Sequence, residues 1–534
     1  CKPHLHIVGS GLHRRCCTCI VSGFFAVSAK EEGKYCPENN GSFIHKFIFS
    51  TISFSVLYST LVLYLTGTLG LPAKTAHGIT GVFVAFNFSL HLLGGYWGGR
   101  IFSYRSLFCL GMLVQIIGCL LLATQQLAYL YLGLGAFLTG CGLNVTCLNC
   151  MLTQRFSPED NRRETAFLYN YAGMNLGFFI GFSLSGYFQL IHNYPRLFLL
   201  SSMGNFIALL ICLYFLPVLA DKDTPHSRLS HSQRQRFFIM GLIFIVIIPF
   251  ILSEFLHFAA FSNQMVLAIG VIMYFVCCGL TMKQKSTEAR MKLQAFSVLI
   301  IMSALFWMLF HTAPMGLMQF IAHNVERHWL FVTIPPQWFH NINTLCVVIG
   351  GPALSFILTH LRQRGIKINV AAQFSLALLF MGVAFILLPL GIMQVDMNGL
   401  VAPGWIVGCF ILQSVGELLI SPIGYAMIGA LVPLPLQGLM MGIWLLASGV
   451  AATLASYCST WMTAGITGVD PIATNPGYSY VFLRLGGLAI ITGLILSLLV
   501  PLLKRWIRED ETIAESKDQS EEPLISGVDS LSLR

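Results

Sequence analysis

Long apolar segments of about 20 residues recur along most of the chain and are separated by short polar stretches. A helix needs about 20 apolar residues to cross roughly 30 Å of hydrocarbon, so each segment is long enough to span a bilayer. We predict fourteen spans, at residues 43–66, 76–98, 104–124, 128–153, 165–190, 196–217, 237–254, 258–281, 295–322, 336–360, 370–392, 402–430, 436–460 and 478–503. Barrel strands would be short segments of alternating hydrophobicity. The pattern therefore predicts an all-α polytopic membrane protein.

Basic residues alternate with the predicted spans and indicate the direction of the chain. With a cytoplasmic N-terminus, nineteen Lys and Arg residues fall in inside loops and three in outside loops. The inside set is Arg100, Arg105, Arg155, Arg162, Arg163, Lys222, Arg228, Arg234, Arg236, Lys283, Lys285, Arg290, Lys292, Arg362, Arg364, Lys367, Lys504, Arg505 and Arg508, and the outside set is Lys74, Arg196 and Arg327. We therefore expect a multi-pass protein of the inner or plasma membrane with both termini in the cytoplasm.

The overall composition agrees with this membrane assignment. Of the 534 residues, 56% are hydrophobic and 10% are charged, and the mean hydropathy of +0.74 lies outside the range of soluble domains. The net charge of +9 comes from the inside loops, so it does not indicate nucleic-acid binding. Most of the sixteen cysteines are single residues in apolar spans, where Cys behaves as a small hydrophobe, so no disulfide framework is expected.

Weak internal symmetry divides the spans into two halves. Residues 43–217 and residues 295–508 each hold six spans, and each half has a glycine-rich stretch followed by arginines after its second span. Residues 218–294 form a linker with two further spans. Paired halves of this kind are typical of secondary transporters, whose solute site lies near the midplane between the halves.

The two ends of the chain differ from the rest. Residues 1–42 contain clustered His and Cys that complete no recognisable metal site, so we expect a disordered or non-native leader without a metal. Residues 509–534 are acidic and rich in Ser, and they are predicted to form a disordered tail.

Glu417 is the only acidic residue deep inside any predicted span. A carboxylate at mid-bilayer depth costs about 2.5–3.5 kcal/mol on insertion scales, so such a residue is usually retained because it meets a proton, an ion or a cationic solute. His311 is the titratable alternative, because it precedes a Pro-broken turn where a side chain can line a cavity. A neutral His that is hydrogen-bonded within the bundle remains the other interpretation of His311.

Neutral polar residues also lie at depth, and most such groups hydrogen-bond across helices. Asn175 differs from the others because the glycines near it permit close approach of backbone or ligand. Enzymatic chemistry is not indicated, because the chain has no HExxH motif, no GxSxG motif and only one deep carboxylate.

Several motifs carry a resemblance to a known family. Residues 413–421, 430–433 and 438–444 resemble the tenth and eleventh core helices of the proton-dependent oligopeptide transporter family, a branch of the major facilitator superfamily. Residues 306–314, 323–326, 335–343 and 171–177 are similar to other segments of that family. The resemblance covers roughly residues 55–508 and implies a major facilitator fold of two six-helix halves with a two-helix hairpin inserted between them.

The resemblance also implies roles for individual residues. Asn175, Asn343 and Glu417 match the positions that hold the ammonium group of a peptide, and Tyr171 and Ser421 complete the expected substrate-binding set. A carboxylate neutralises an ammonium in a cavity of low dielectric, and amide oxygens accept its remaining N–H bonds. Glu417 and His311 are the candidates for proton coupling.

Other positions depart from the family pattern. The first-helix ExxER motif aligns with Phe47, Ser50 and Thr51, and the fourth-helix Lys aligns with Val145. The acidic residue of the loop between helices two and three aligns with Gly99. The ammonium end of the site is therefore retained, whereas the carboxylate end and the usual proton relay are absent.

The sequence favours a monomeric secondary transporter of small peptides or amine-bearing peptide-like solutes. It would need no cofactor, because a proton gradient would supply the energy. Two alternatives remain open: a carrier of another metabolite such as a siderophore or drug on the same fold, and a ligand sensor that does not transport.

Overall fold

The described part of the structure, a computed structural model, covers residues 40–156, 162–217, 219–221, 224–329, 332–364, 369–463 and 470–507. The predicted tail and the predicted leader up to residue 39 lie outside these residues. The described residues from Phe43 onward belong to one compact unit by their contacts. The finer division into two halves and a linker stays a prediction, and it is used below only to name regions of the bundle.

Six long helices make up the first half. They are α1 (Asn40–Leu63, continued by a π-helical turn at Tyr64–Thr68), α2 (Ala73–Trp97), α3 (Tyr104–Ala123), α4 (Leu127–Thr153), α5 (Arg162–Leu190) and α6 (Tyr194–Tyr214). A 3₁₀ turn at Pro225–Arg228 leads into the hairpin of α7 (His231–His257) and α8 (Ala259–Met282).

The second half has six long helices and several short elements. The helices are α9 (Thr287–Phe310), the short α10 (Gly316–Asn324), α11 (His340–Gln363), α12 (Val370–Ile392), α13 (Pro403–Leu431), α14 (Gln437–Met462) and α15 (Pro471–Ile507). Short 3₁₀ turns lie at Pro336–Phe339 and Leu434–Leu436. Strands β1 (His328–Trp329) and β2 (Val332–Thr333) pair antiparallel, with His328 opposite Thr333.

The described residues thus contain fourteen long helices at the fourteen predicted positions, and the all-α membrane fold is confirmed. Thirteen candidate spans are long and apolar enough to cross a membrane. Helix α5 is not among them, because Asn170, Asn175 and several Gly, Ser and Tyr residues lower its mean hydropathy. Its polar face lines the central cavity described below.

The span predicted at residues 295–322 is divided by the turn that Pro314 indicates. Helix α9 ends at Phe310, a turn follows, and α10 begins at Gly316. Pro314 lies in this turn and has no backbone N–H, so the helix cannot continue through it unchanged. The break places His311 at the end of α9 rather than in mid-helix.

Glycines allow the helices of the first half to approach closely. A Cβ atom built on Gly118 of α3 would lie 2.6 Å from the backbone nitrogen of Phe137 in α4. A Cβ on Gly140 of α4 would lie 2.3 Å from the carbonyl oxygen of Gly111 in α3. Small residues at such crossings let backbones pack in contact, which stabilises helix pairs in lipid.

Helices α5 and α11, which belong to different halves, touch at one end of the bundle, which we call the outer end. It carries the turns at residues 124–126, 191–193 and 393–402, which the basic residues predict to face outside. There the Trp338 indole N–H donates to the Ser183 carbonyl oxygen at 3.1 Å, and the Asn341 amide donates to the Ser183 hydroxyl at 3.0 Å. A Cβ on Gly186 would lie 2.5 Å from Pro335 and Trp338. Helices α5 and α11 are therefore in close contact at this end.

Polar contacts join the linker to the opposite, inner end. The Tyr104 backbone N–H donates to the Asp221 carboxylate at 3.1 Å, and the Arg105 guanidinium donates to the Leu216 carbonyl at 2.6 Å. The His226 backbone N–H donates to the Gly99 carbonyl at 2.8 Å. Burial raises the pKa of the Asp221 carboxyl, although its bond to Tyr104 acts in the opposite direction.

Candidate functional site

A cavity of about 550 Å³ lies at the centre of the bundle, with walls from both halves. Helices α1, α2, α4 and α5 contribute one wall, and α9, α11, α13 and α14 contribute the other. The lining runs from Phe182 and His340, next to the outer contacts, to His91 and Asn149, which lie further toward the inner end of their helices. All six residues that the sequence singles out line this cavity: Tyr171, Asn175, His311, Asn343, Glu417 and Ser421.

The Glu417 carboxylate is held in place by a neighbouring helix. The Asn343 side-chain amide of α11 donates to Glu417 Oε2 of α13 at 2.7 Å and to the Ser414 hydroxyl at 3.0 Å. The Ser414 hydroxyl donates in turn to the Phe410 carbonyl at 2.7 Å. A hydrogen bond to a charged acceptor is about twice as strong as a neutral one, so this contact orients the carboxylate.

Asn175 and Tyr171 lie on the facing wall, in α5. The Asn175 amide donates to the Tyr171 backbone carbonyl at 2.9 Å, one helical turn earlier. This bond leaves the Asn175 carbonyl oxygen available as an acceptor. Gly177 and Gly181 bring α5 against α1, because a Cβ on either residue would lie within 2.6 Å of an α1 atom. The structure therefore brings the predicted ammonium ligands into one cavity, and Asn343 and Glu417 are directly bonded.

His311 lies at the end of α9 among aromatic rings. Its imidazole stacks on Trp307 at 5.8 Å between ring centroids and contacts Phe88 at 5.7 Å. Neither ring nitrogen has a hydrogen-bond partner among the described residues, so the hydrogen-bonded interpretation of His311 is not supported. The side chain is buried and borders the cavity.

His340 is a cavity residue that was not predicted from the sequence. Its ring is surrounded by Phe182 at 5.1 Å, Phe410 at 5.3 Å and Tyr58 at 6.0 Å. Its Nε2 atom has no partner in the described part of the chain. The available signal was its position three residues before Asn343, because this spacing places both side chains on one face of a helix.

The cavity carries little charge. Among the described residues that line it, Glu417 is the only one with an ordinarily charged side chain. Three of the positions that depart from the family pattern, Ser50, Thr51 and Val145, also line it and are neutral. The lining therefore combines one carboxylate with neutral polar groups and a large aromatic surface.

Comparisons with known proteins agree with this architecture. The PTR2 family model, described as the POT family, matches residues 102–472. A dipeptide and tripeptide permease B from Photorhabdus luminescens is 28% identical over 457 residues, which cover 84% of this chain and 92% of the permease. A permease of the same name from Edwardsiella piscicida is 29% identical over 455 residues, which cover 84% of this chain and 91% of the permease.

Solved structures show the same fold. The crystal structure of a peptide transporter POT in complex with sulfate has a TM-score of 0.77 at 23% identity, and the match covers 88% of this chain and 96% of that one. A POT family transporter in complex with 5-aminolevulinic acid has a TM-score of 0.75 at 22% identity, covering 88% of this chain and 97% of that one.

Paired helical bundles around a central cavity, with a hairpin inserted between them, define a membrane transport protein of the major facilitator type. The chain belongs to the POT family, since the family model matches more than half of it. The predicted family and fold class are thereby confirmed. The curated relatives are permeases rather than enzymes, in agreement with the sequence prediction.

Proposed function

We propose that the protein is a secondary active transporter of small peptides or amine-bearing peptide-like solutes, and that it works by alternating access. The observation that carries this proposal is the bonded pair of Asn343 and Glu417, which lies in the cavity between the halves. A carboxylate already oriented by an amide is suited to receive an ammonium group, because both partners are charged and the cavity lining is largely apolar.

The remaining ammonium N–H groups need further acceptors. The Asn175 carbonyl oxygen and the Ser421 hydroxyl line the same cavity as Glu417, and the Tyr171 ring lies one turn before Asn175. We assign these residues to substrate binding together with Glu417 and Asn343. An ammonium that made these contacts would exchange its water ligands for protein oxygens without an unpaired charge.

Proton coupling is the proposed source of energy, so no cofactor is required. Glu417 and His311 are the proposed coupling residues, because both side chains border the cavity and both change charge on binding a proton. The proposed setting is the inner or plasma membrane, with both termini in the cytoplasm and a monomer as the working unit.

Glu417→Gln tests the proposal in proteoliposomes that contain the purified protein. Uptake of a labelled dipeptide or dipeptide amide by the parent protein should rise with an inward proton gradient, and the substitution should abolish it. Glu254→Gln on α7 is the matched control, because Glu254 is exposed and lies outside the cavity. Its uptake should equal that of the parent protein.

Three results would overturn the proposal. Undiminished uptake by the Glu417→Gln variant would show that the carboxylate does not bind the solute. Thermal stabilisation of the parent protein by a solute that is never taken up would instead indicate a sensor. Uptake restricted to compounds without an amine, such as a siderophore, would support the alternative metabolite carrier.

A further inference from the structure

The balance of charge in the cavity is informative about the solute. Glu417 supplies one negative charge, and no Lys or Arg side chain lines the cavity in the described part of the chain. The α4 wall presents Cys141, Val145 and Thr146, which cannot neutralise an anion. A solute with one positive charge would therefore be neutralised, whereas a zwitterion would bring an unpaired carboxylate.

An unpaired carboxylate is disfavoured in this setting. The cavity lies within a bundle of membrane-spanning helices, where charges are retained only when they are paired or hydrated. Neutral donors are present, but a hydrogen bond between two charged groups is stronger than one from a neutral donor. The lining should therefore discriminate between an ammonium compound with a free carboxylate and the same compound without it.

Aromatic rings form much of the remaining wall. One group comprises Phe88, Trp307 and Phe310 beside His311, and a second comprises Tyr58, Phe182 and Phe410 around His340. Phe54 and Phe178 lie between α1 and α5 with edge-to-face geometry and centroids 6.2 Å apart. Such rings bury apolar side chains, and their faces attract cations.

The cavity volume sets the size of the solute. A volume of about 550 Å³ lies within the range of roughly 300–1,000 Å³ that small-molecule sites occupy. This space accommodates a compound of the size of a dipeptide with an aromatic side chain. A macromolecular or long peptide ligand does not fit it.

We propose that the preferred solutes are aromatic or apolar amines with a single positive charge and no free carboxylate, such as dipeptide amides. This inference rests on the proposed function, since it takes Glu417 as the ammonium site. The structural basis is the combination of one carboxylate, an absence of cationic side chains among the described lining residues, and two aromatic groups.

Three compounds with one scaffold test the inference in proteoliposomes. They are the zwitterionic dipeptide phenylalanyl-alanine, its C-terminal amide, and the N-acetylated amide, which has no charge. The amide should be taken up with a kcat/KM at least about tenfold higher than that of the zwitterion, which corresponds to one lost charge-assisted contact. The N-acetylated amide should not be taken up, because it cannot pair with Glu417.

A gain-of-function variant tests directly whether the lack of a cationic side chain disfavours the zwitterion. Val145→Lys places an ammonium on the α4 wall, and it should raise the ratio of zwitterion uptake to amide uptake at least about tenfold, by adding one such contact. Val145→Met is the matched control, because it has a similar length and no charge, and it should leave the ratio unchanged. The comparison of the three compounds on the parent protein needs no variant, so it stands even if Val145→Lys does not fold.

The outcomes separate this inference from the proposed function. Equal or better uptake of the zwitterion by the parent protein would overturn the inference and leave peptide transport in place. Equal uptake of the N-acetylated amide would overturn both the inference and the proposed function, because transport would not depend on an ammonium group bound to Glu417. A failure of all three compounds to be taken up or to shift the melting temperature would overturn the proposed function itself.

Discussion

Asn343 is expected to govern affinity through the Glu417 carboxylate. Its amide makes the 2.7 Å bond that orients the carboxylate, so Asn343→Ala removes a hydrogen bond to a charged group. Such bonds contribute about 1.5–3 kcal/mol, which corresponds to a roughly 10- to 150-fold rise in KM. The substitution weakens solute binding and does not alter a segment that moves during transport, so kcat should change less than KM. Measurements of uptake at several solute concentrations give both parameters.

The control for this prediction is Asn398→Ala. Asn398 is exposed in a loop at the outer end and bonds only locally, to Asp396. Its KM should match that of the parent protein. A KM for Asn343→Ala within twofold of the parent value would mean that the carboxylate is positioned without this amide.

Sequence reasoning singles out residues whose type is unusual for their place in the chain. Glu417 could be singled out because a lone carboxylate at membrane depth is costly. Asn343 was singled out by the resemblance of residues 335–343 to a family segment. His340 was missed, since a histidine near a helix start has many ordinary explanations. Its surroundings in the cavity include Phe182 and Phe410, which lie far from it in sequence and meet it only in the folded chain.

At the level of elements, the contact between α5 and the segment before α11 is expected to act as the outer gate. Gly186 permits it, because a Cβ there would lie 2.5 Å from Pro335 and Trp338. Gly186→Leu should therefore wedge the gate open, since overpacking costs about 1–3 kcal/mol. Hydrogen–deuterium exchange should become faster at residues 183–191 and 335–341, and proton-driven uptake should fall.

Gly487→Leu provides the matched control for the gate. Gly487 lies in α15, and a Cβ there meets no atom within 4 Å, so a leucine can be accommodated. Exchange at the two gate segments should be unchanged in this variant. If Gly186→Leu also left exchange and uptake unchanged, the contact between α5 and α11 would not be a gate.

Hydropathy predicts uniform apolar segments well, but it does not show where a helix breaks. Helices such as α12 carry a continuous apolar run, so their length alone identifies them. The turn between α9 and α10 was predicted from Pro314 and not from hydropathy, because hydropathy does not register a missing backbone donor. The contact of Asp221 with Tyr104 could not be predicted from the sequence pattern, because it joins residues 117 positions apart.

At the level of the whole molecule, the symmetry of the chain predicted the architecture better than the coupling mechanism. Six spans on each side of a hairpin imply paired bundles, and the positive-inside pattern fixes their alternation. The source of the driving force does not follow from this pattern. It depends on how many proton sites face one cavity, and the usual first-helix acids are absent from this sequence.

A single carboxylate cannot hold a proton and pair with an ammonium at the same time. If Glu417 were the only coupling group, solute and proton would compete for it and cross the membrane in opposite directions. Movement in the same direction requires a second proton site that stays available when Glu417 is occupied. His311 fits this requirement, because its ring borders the cavity and both its nitrogens lack partners among the described residues.

We therefore predict that His311→Gln uncouples transport without abolishing binding. Gradient-driven accumulation should be lost, while counterflow of labelled solute into preloaded vesicles should persist, because Glu417 and Asn343 are intact. His360→Gln is the control, since His360 is exposed on α11 and outside the cavity, and it should retain both activities. Full gradient-driven accumulation by His311→Gln would contradict the prediction and place the second proton elsewhere in the bundle.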